Sequence, residues 1–198
     1  MKWIAAVLGV ALPLLAAGPP IDKGKALGSP TAPIMLEVFS DFQCPMCKAF
    51  HQDTLPLLMK DFVIPGKVYI VSREFPLNRT DHPFSKDAAA YATAAARVLQ
   101  YGPVTDSLFT GQESWEKSGN LWGAVARALS PDQQKRVQAM AKDPDVVKEV
   151  QDDVNYGNSL GVDGTPTINL VRGSRHFTLT SSQLSYTLLK SLLNDMAK

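Results

Sequence analysis

Phe39-Ser40-Asp41-Phe42-Gln43-Cys44-Pro45-Met46-Cys47 is the stretch on which the reading of this chain turns. Just upstream, Ile34, Met35, Leu36, Val38 and Phe39 make a near-continuous apolar run of strand length, the pattern of a central strand covered on both faces. Just downstream, Cys47, Phe50, Leu55, Leu58 and Met59 recur with helical spacing. Cys44 therefore stands where a strand passes into a helix. The first-turn N–H groups there are unpaired and the helix dipole is positive, which favours thiolate over thiol. Pro45 falls at the first helical position, where its missing donor costs nothing. Cys47 lies one turn on, within disulfide reach and turned toward the body of the helix. This placement gives Cys44 the attack on substrate sulfurs and Cys47 the resolution of the mixed disulfide.

Working outward, Pro56 should kink or divide the helix. Pro65-Gly66 marks a turn, and Val68, Ile70, Val71 and Phe75 supply a second strand. Strand, helix, strand is a βαβ unit, with parallel strands and a right-handed crossover. Residues 83 to about 160 read as helical. An Ala-rich helix from Ser85 to Leu99 closes near Gly102, Ser130-Pro131-Asp132-Gln133 is a capping box, and Asp143-Pro144 opens a helix running to about Asn158. Thr167 to Val171 and His176 to Leu179 then flank Arg172-Gly173-Ser174 as a hairpin, and Ser181 or Ser182 is the expected cap of a terminal helix. The expected fold is α/β: one mixed sheet flanked by helices, with a helical insertion at about 83–160 between a βαβ and a ββα half.

The chain has 198 residues, enough for one domain with an insertion. A net charge of +1 gives no electrostatic reason to expect nucleic acid or an acidic membrane surface as partner. Met1-Lys2, the apolar run Trp3 to Ala17 and Gly18-Pro19-Pro20 read as a secretory signal or N-terminal anchor over 1–18. Trp3 to Ala17 is short of the ~20 apolar residues of a spanning helix. Residues 19–32, with Gly, Pro and Lys but no periodicity, read as a linker before a domain over 33–198.

Export governs how the two cysteines are understood. A disulfide framework in a secreted protein normally needs several pairs. One bridge between neighbours three positions apart closes too small a loop to be an effective staple, so its use is chemical. Cys44, Cys47 and His51 fall nearly on one helical face and invite comparison with a zinc site. A closed structural site needs four ligands, however, and neither His82 nor His176 has ligand spacing, so no metal is expected. His51 reads as a half-exposed helix residue and His82 as a helix-starting one, while Trp115 and Trp122 read as packing residues in the helical block.

The CxxC at a strand–helix junction, followed far downstream by Gly164-Thr165-Pro166 before a hairpin and terminal helix, resembles the thioredoxin superfamily. The helical insertion, the stretch from Phe39 to Cys47, and Arg73-Glu74-Phe75-Pro76-Leu77 resemble its DsbA-like branch. The resemblance runs from about Pro33 to the C-terminus. It implies a cis Thr165-Pro166 peptide lying against the cysteine pair, with the residue before the proline free to pair with a substrate backbone. The chain departs from the family at one position. Members commonly carry a buried acid six residues before the first cysteine; here that residue is Val38. The neighbouring Glu37 should point to the opposite face of the strand. Asp41 or water is left as a substitute.

The resemblance implies an extracytoplasmic thiol–disulfide oxidoreductase whose redox group is the Cys44–Cys47 disulfide, with no other cofactor. The leading expectation is an oxidase that hands this disulfide to reduced exported proteins and is reoxidised by a membrane quinone-linked DsbB-type or vitamin K epoxide reductase-like protein. The ~12 residues between signal and first strand leave no room for an isomerase-type dimerisation domain, which favours a monomer. A reductase of the same fold, acting on oxidised thiols or in cytochrome maturation, is one alternative, and a redox-inert binding module or chaperone another. Within the motif, Pro45 shapes the helix start. Met46 brings neither charge nor N–H to the thiolate, unlike the histidine of DsbA, whose thiol pKa is ~3.5. A Cys44 pKa of roughly 4 to 7 follows.

Overall fold

In the computed structural model, which describes residues 18–198, five strands form one mixed sheet in the order β1-β3-β2-β4-β5. The strands are β1 (Ala26–Leu27), β2 (Ile34–Ser40), β3 (Val68–Glu74), β4 (Thr167–Arg172) and β5 (Arg175–Leu179). β2 runs parallel to β3 and antiparallel to β4, while β1 and β5 close the edges antiparallel. Its apolar run explains why β2 is central: Ile34, Leu36, Val38 and Phe39 are all buried, so both faces need cover. Fully burying one such side chain is worth about 1.5–3 kcal/mol.

Helices cover the two faces differently. Behind Leu36, Val38, Ile70, Ile168 and Leu170 lie α1 (Pro45–Ala49), α2 (Leu55–Leu58) and the terminal α9 (Tyr186–Ala197), whose Leu189, Leu193 and Met196 complete that core. The other face carries Phe39 and Phe75 against α8 (Pro144–Ser159) and Val162. Between β3 and β4 the chain is helical: α3 (Ser85–Ala96), α4 (Tyr101–Thr110), α5 (Gln112–Ser118), α6 (Leu121–Ala126), α7 (Pro131–Met140) and then α8. This block is not a separate body. Its core, with Ala92, Leu108, Trp115 and Val125, is continuous with Phe42, Cys44 and Cys47. The expected mixed sheet with a helical insertion is the fold observed.

Several local expectations are refined or corrected. Pro56 does divide its helix, into α1 and α2, but the break is a π turn that precedes the proline. It has no N–H and its ring crowds the preceding turn, and the helix widens into a π turn over Phe50–Thr54 just before it, with Leu55 N–H reaching back to Phe50 O. A second π turn, Met59–Val63, ends the run. The Ala-rich helix stops at Ala96, turns at Leu99 with φ 58°, and a new helix already contains Gly102. Ser181–Gln183 is a short 3-10 turn, and the cap of α9 is Ser185, whose hydroxyl accepts from Leu188 N–H at 3.2 Å.

The stretch 19–32 is also more than a linker. It contributes β1 and a 3-10 turn at Lys23–Lys25, and Lys25 is buried against Asp153 at 2.8 Å and Glu149 at 3.1 Å. The partners lie more than a hundred residues away, so composition alone gives no sign of them. The signal or anchor expected over 1–18 falls, but for Gly18, outside the described residues. Among the described residues no helix is long and apolar enough to cross a membrane.

Candidate active site

Cys44 is the N-cap of α1, in extended conformation (φ −79°, ψ 120°), with Pro45 at the first helical position. The loop that delivers it from β2 is clamped by the helical block. Asp41 Oδ1 accepts from Gln43 N–H at 2.7 Å and Ser85 Oγ at 2.6 Å. Its Oδ2 accepts from Leu77 N–H at 2.8 Å and lies 3.0 Å from His82 Nδ1. Gln43 Oε1 receives Phe84 N–H at 2.6 Å, and Gln112 Nε2 donates to Phe42 O and Cys44 O at 2.8 and 3.2 Å. Asp41 is thus a fully engaged buried staple holding the strand–helix junction. Of this clamp the sequence singled out only Asp41 and His82. The short Asp-x-Gln turn before Cys44 was the available signal, while Ser85 and Gln112 had none.

The two thiols are unlinked in this structure and unequal in their surroundings. Cys44 is 6% exposed and Cys47 1%. Thr165-Pro166 is cis, and Cys44 Sγ–H donates to Thr165 O at 3.2 Å, so the downstream motif does meet the cysteine pair. The Cys44 thiol is acidified to about 6. The Cys47 thiol, hydrogen-bonding to the Cys44 sulfur, is the main cause; the Thr165 hydroxyl and the backbone N–H groups of Cys47 and Met46 add to it against the opposing effect of burial. The Thr165 hydroxyl is buried with no other partner, and so is free to serve the thiolate. Cys47 moves the other way: burial pushes its thiol well up, and the bond it gives to Cys44 holds its proton further. One sulfur is poised as a nucleophile and the other as a protonated reserve.

Two depressions lie at the motif, one of them bordering Cys44. A polar cleft of about 770 Å³ is lined by Cys44, Thr165, His82, Glu116, Arg79 and Asp81, among others. A smaller one of about 100 Å³ is walled by Met46, Phe50, Pro166 and Leu184, with Met46 53% exposed. Cys44, Pro45 and Thr165 thus line the larger depression and Met46 and Pro166 the smaller, with Ser181 common to both, while Cys47 lines neither.

Glu37 faces away from the cysteines. Its Oε1 accepts from Arg73 Nη2 and Nε at 2.8 and 3.0 Å, and its Oε2 from Asn169 Nδ2 at 2.9 Å and Tyr156 Oη at 3.0 Å. Arg73 also reaches Asp153 at 3.0 Å, so Glu37 belongs to a buried charge network on the α8 face. His51 Nε2 is 2.7 Å from Asp106 Oδ1. Trp115 is a packing residue whose Nε1–H donates to Leu108 O at 2.7 Å. Among the described residues no group of three or more His, Cys, Asp or Glu is arranged to hold a metal ion.

Comparison with known proteins places this geometry. The family model described as Thioredoxin matches residues 22–189. A Na(+)/H(+) antiporter NhaA 1 of Mycolicibacterium gilvum is 33% identical over 181 residues, covering 88% of this chain and 27% of that protein. The chain thus spans about a quarter of the length of these antiporter relatives. Disulfide bond formation protein D of Bacillus subtilis is 27% identical over 161 residues, 76% of this chain and 69% of that one. Among solved structures, Wolbachia pipientis alpha-DsbA1 superposes with a TM-score of 0.71 at 18% identity, over 87% of this chain and 90% of that one. Oxidised Bacillus subtilis BdbD gives 0.64 at 21% identity, over 91% and 96%.

Proposed function

The chain belongs to the thioredoxin family, and from that premise we propose that it is an extracytoplasmic oxidase of the DsbA-like branch. In this reading it donates a Cys44–Cys47 disulfide to reduced exported proteins. A substrate thiolate attacks Cys44 Sγ, the Cys44–Cys47 bond breaks, and Cys47 leaves with the electron pair and takes up a proton. A second substrate thiolate then attacks the substrate sulfur of the mixed disulfide, and Cys44 leaves as thiolate. The substrate is oxidised by two electrons and the cysteine pair reduced by two. A membrane quinone-linked DsbB-type or vitamin K epoxide reductase-like protein restores the disulfide, and the chain acts as a monomer.

The observation that carries this reading is the asymmetry of the two sulfurs. Cys44, acidified to about 6, is mostly thiolate at neutral pH, and a stabilised thiolate favours the reduced pair. The disulfide is correspondingly more oxidising than one whose thiol keeps the free value. The cleft at Cys44 and the shelf at Met46 and Leu184 offer a docking surface for an unfolded chain. The similarity to the antiporter covers only 27% of that protein and falls on the thioredoxin fold, so it bears on this domain and not on ion exchange.

The equilibrium potential against glutathione tests the direction. A value between about −120 and −200 mV, with stoichiometric oxidation of a reduced unfolded protein, is expected of an oxidase less extreme than DsbA. A value near that of thioredoxin, about −270 mV, would turn the assignment to a reductase. Failure to exchange at all would make the pair a redox-inert feature of a binding module.

A further inference from the structure

Cys47 must gain a proton when it leaves a disulfide and lose one before it attacks. Val38, on the same sheet face as Cys47, cannot take part. Behind Cys47 lies a cavity of about 40 Å³, room for one or two waters. It is bordered by Cys47 and by the hydroxyl-bearing side chains of Ser40, Ser72, Tyr101 and Thr105. Thr105 Oγ1 is committed to Tyr101 O at 2.7 Å. The other three form a series: the Ser40 hydroxyl favours ionisation of the Cys47 thiol, the Ser72 hydroxyl favours ionisation of the Tyr101 phenol, and Tyr101 Oη donates to Glu74 Oε1 at 2.9 Å.

The sheet register explains the arrangement. In the parallel pair, Val38 lies opposite Ser72 and Ser40 opposite Glu74. Side chains alternate along a strand, so Ser72 and Glu74 share the face of Val38 and Ser40, while Glu37 and Arg73 take the other. An acid on the Cys47 side of the sheet is therefore present, on the neighbouring strand and 1% exposed.

We propose that Glu74 is the proton-positioning residue of Cys47, exchanging a proton with its sulfur through Tyr101, Ser72, cavity water and Ser40. This rests on the reading of Cys44 and Cys47 as a redox pair. When a substrate thiolate breaks the Cys44–Cys47 bond, Cys47 leaves as thiolate and is protonated along this path, with Glu74 left as carboxylate and reprotonated from bulk water. When Cys44 is held in a mixed disulfide with an oxidising partner, the Glu74 carboxylate takes up the Cys47 proton. Cys47 Sγ then attacks Cys44 Sγ and the partner sulfur departs as thiolate.

The electrostatic surroundings fit this role. Burial pushes the Glu74 carboxyl up to about 7, opposed by Lys25 from the turn before β1 and reinforced by Asp153 and Glu149 of α8. An acid titrating there suits proton transfer in both directions at neutral pH. Tyr101, from α4, stays protonated because burial raises its phenol well above the ordinary range, so it passes a proton without keeping a charge. His51 also borders the cavity, but its Nε2 is taken by Asp106.

The test is single-turnover release of thionitrobenzoate from protein carrying that group in a mixed disulfide at Cys44, measured against pH. Release in the wild type reports attack by Cys47; if it is absent at every pH, the redox-pair reading fails and not the relay alone. With the relay intact, the rate rises and levels off near pH 7. Glu74→Gln should slow release at pH 7 by ~100-fold and replace the plateau with a steady rise with hydroxide. Glu74→Asp should restore part of the plateau, Tyr101→Phe should lose it, and His51→Gln should keep it. In every variant Cys44 thiolate absorbance should titrate where it does in the wild type. An inflection near 7 that survives in Glu74→Gln overturns the proposal, whatever the absolute rate. Should that variant not fold, an inflection retained in both Tyr101→Phe and Ser72→Ala overturns it equally.

Discussion

Removing the Cys47 thiol should raise the Cys44 pKa, because the bond from Cys47 is the largest single support of the Cys44 thiolate. A hydrogen bond to a charged group is worth about 1.5–3 kcal/mol, and at 1.36 kcal/mol per pKa unit its loss is roughly 1–2 units. Cys47→Ala should therefore move Cys44 from about 6 to roughly 7–8, whereas Cys47→Ser, which keeps a donor, should stay within roughly half a unit of wild type. Alkylation rate at one pH is a poor measure of this. Raising the pKa by 2 units cuts the thiolate fraction at pH 7 about tenfold but raises intrinsic nucleophilicity almost as much, with a Brønsted slope of ~0.4–0.5. Ultraviolet thiolate absorbance followed against pH separates the two. The same titration bears on stability. The folded-state value is depressed, so Cys44 stabilises the folded reduced protein fully above the unfolded value of ~8.5, and that contribution is lost as pH falls through about 6. A Cys47→Ala protein that still titrates at about 6 would refute this reasoning and leave the helix N-terminus and Thr165 as the whole cause.

Three further outcomes are expected. Met46→His places a cation at the exposed position before Cys47, and should lower the Cys44 pKa by about 1 unit and raise the potential by ~30 mV; thiolate titration and glutathione equilibration read both, and no change in either would deny position 46 an electrostatic role. Arg73→Leu leaves Glu37 and Asp153 buried without their shared cation, so denaturant unfolding should show a loss of about 3–5 kcal/mol. Gly157→Ala drives a methyl to 2.6 Å from the Phe75 ring and 3.1 Å from Phe39. Crowding of about 1–3 kcal/mol should outweigh the better helix propensity of alanine, giving a lower melting temperature, and a stabilised variant would mean the rings can yield.

What the sequence determined by itself was local. A continuous apolar run followed by a 3.6-residue period puts Cys44 at a strand–helix junction, because each pattern buries a face in only one backbone geometry. The same logic made 83–160 helical, gave the Ser130 capping box, and turned Glu37 away from the cysteines by strand alternation alone. Resemblance supplied the meeting of Thr165 with Cys44, which no periodicity contains. The tertiary structure decided what depends on partners distant in the chain. Lys25 is buried because Asp153 and Glu149 neutralise it, Asp41 because four groups from 43 to 85 satisfy its carboxylate. Charges enter an interior only when paired or hydrogen-bonded, and the pairing is invisible until the fold assembles it. Glu74 shows the division most plainly. Its place on β3 was legible, but its standing behind Cys47 depends on the β2–β3 register and on Tyr101 arriving from α4.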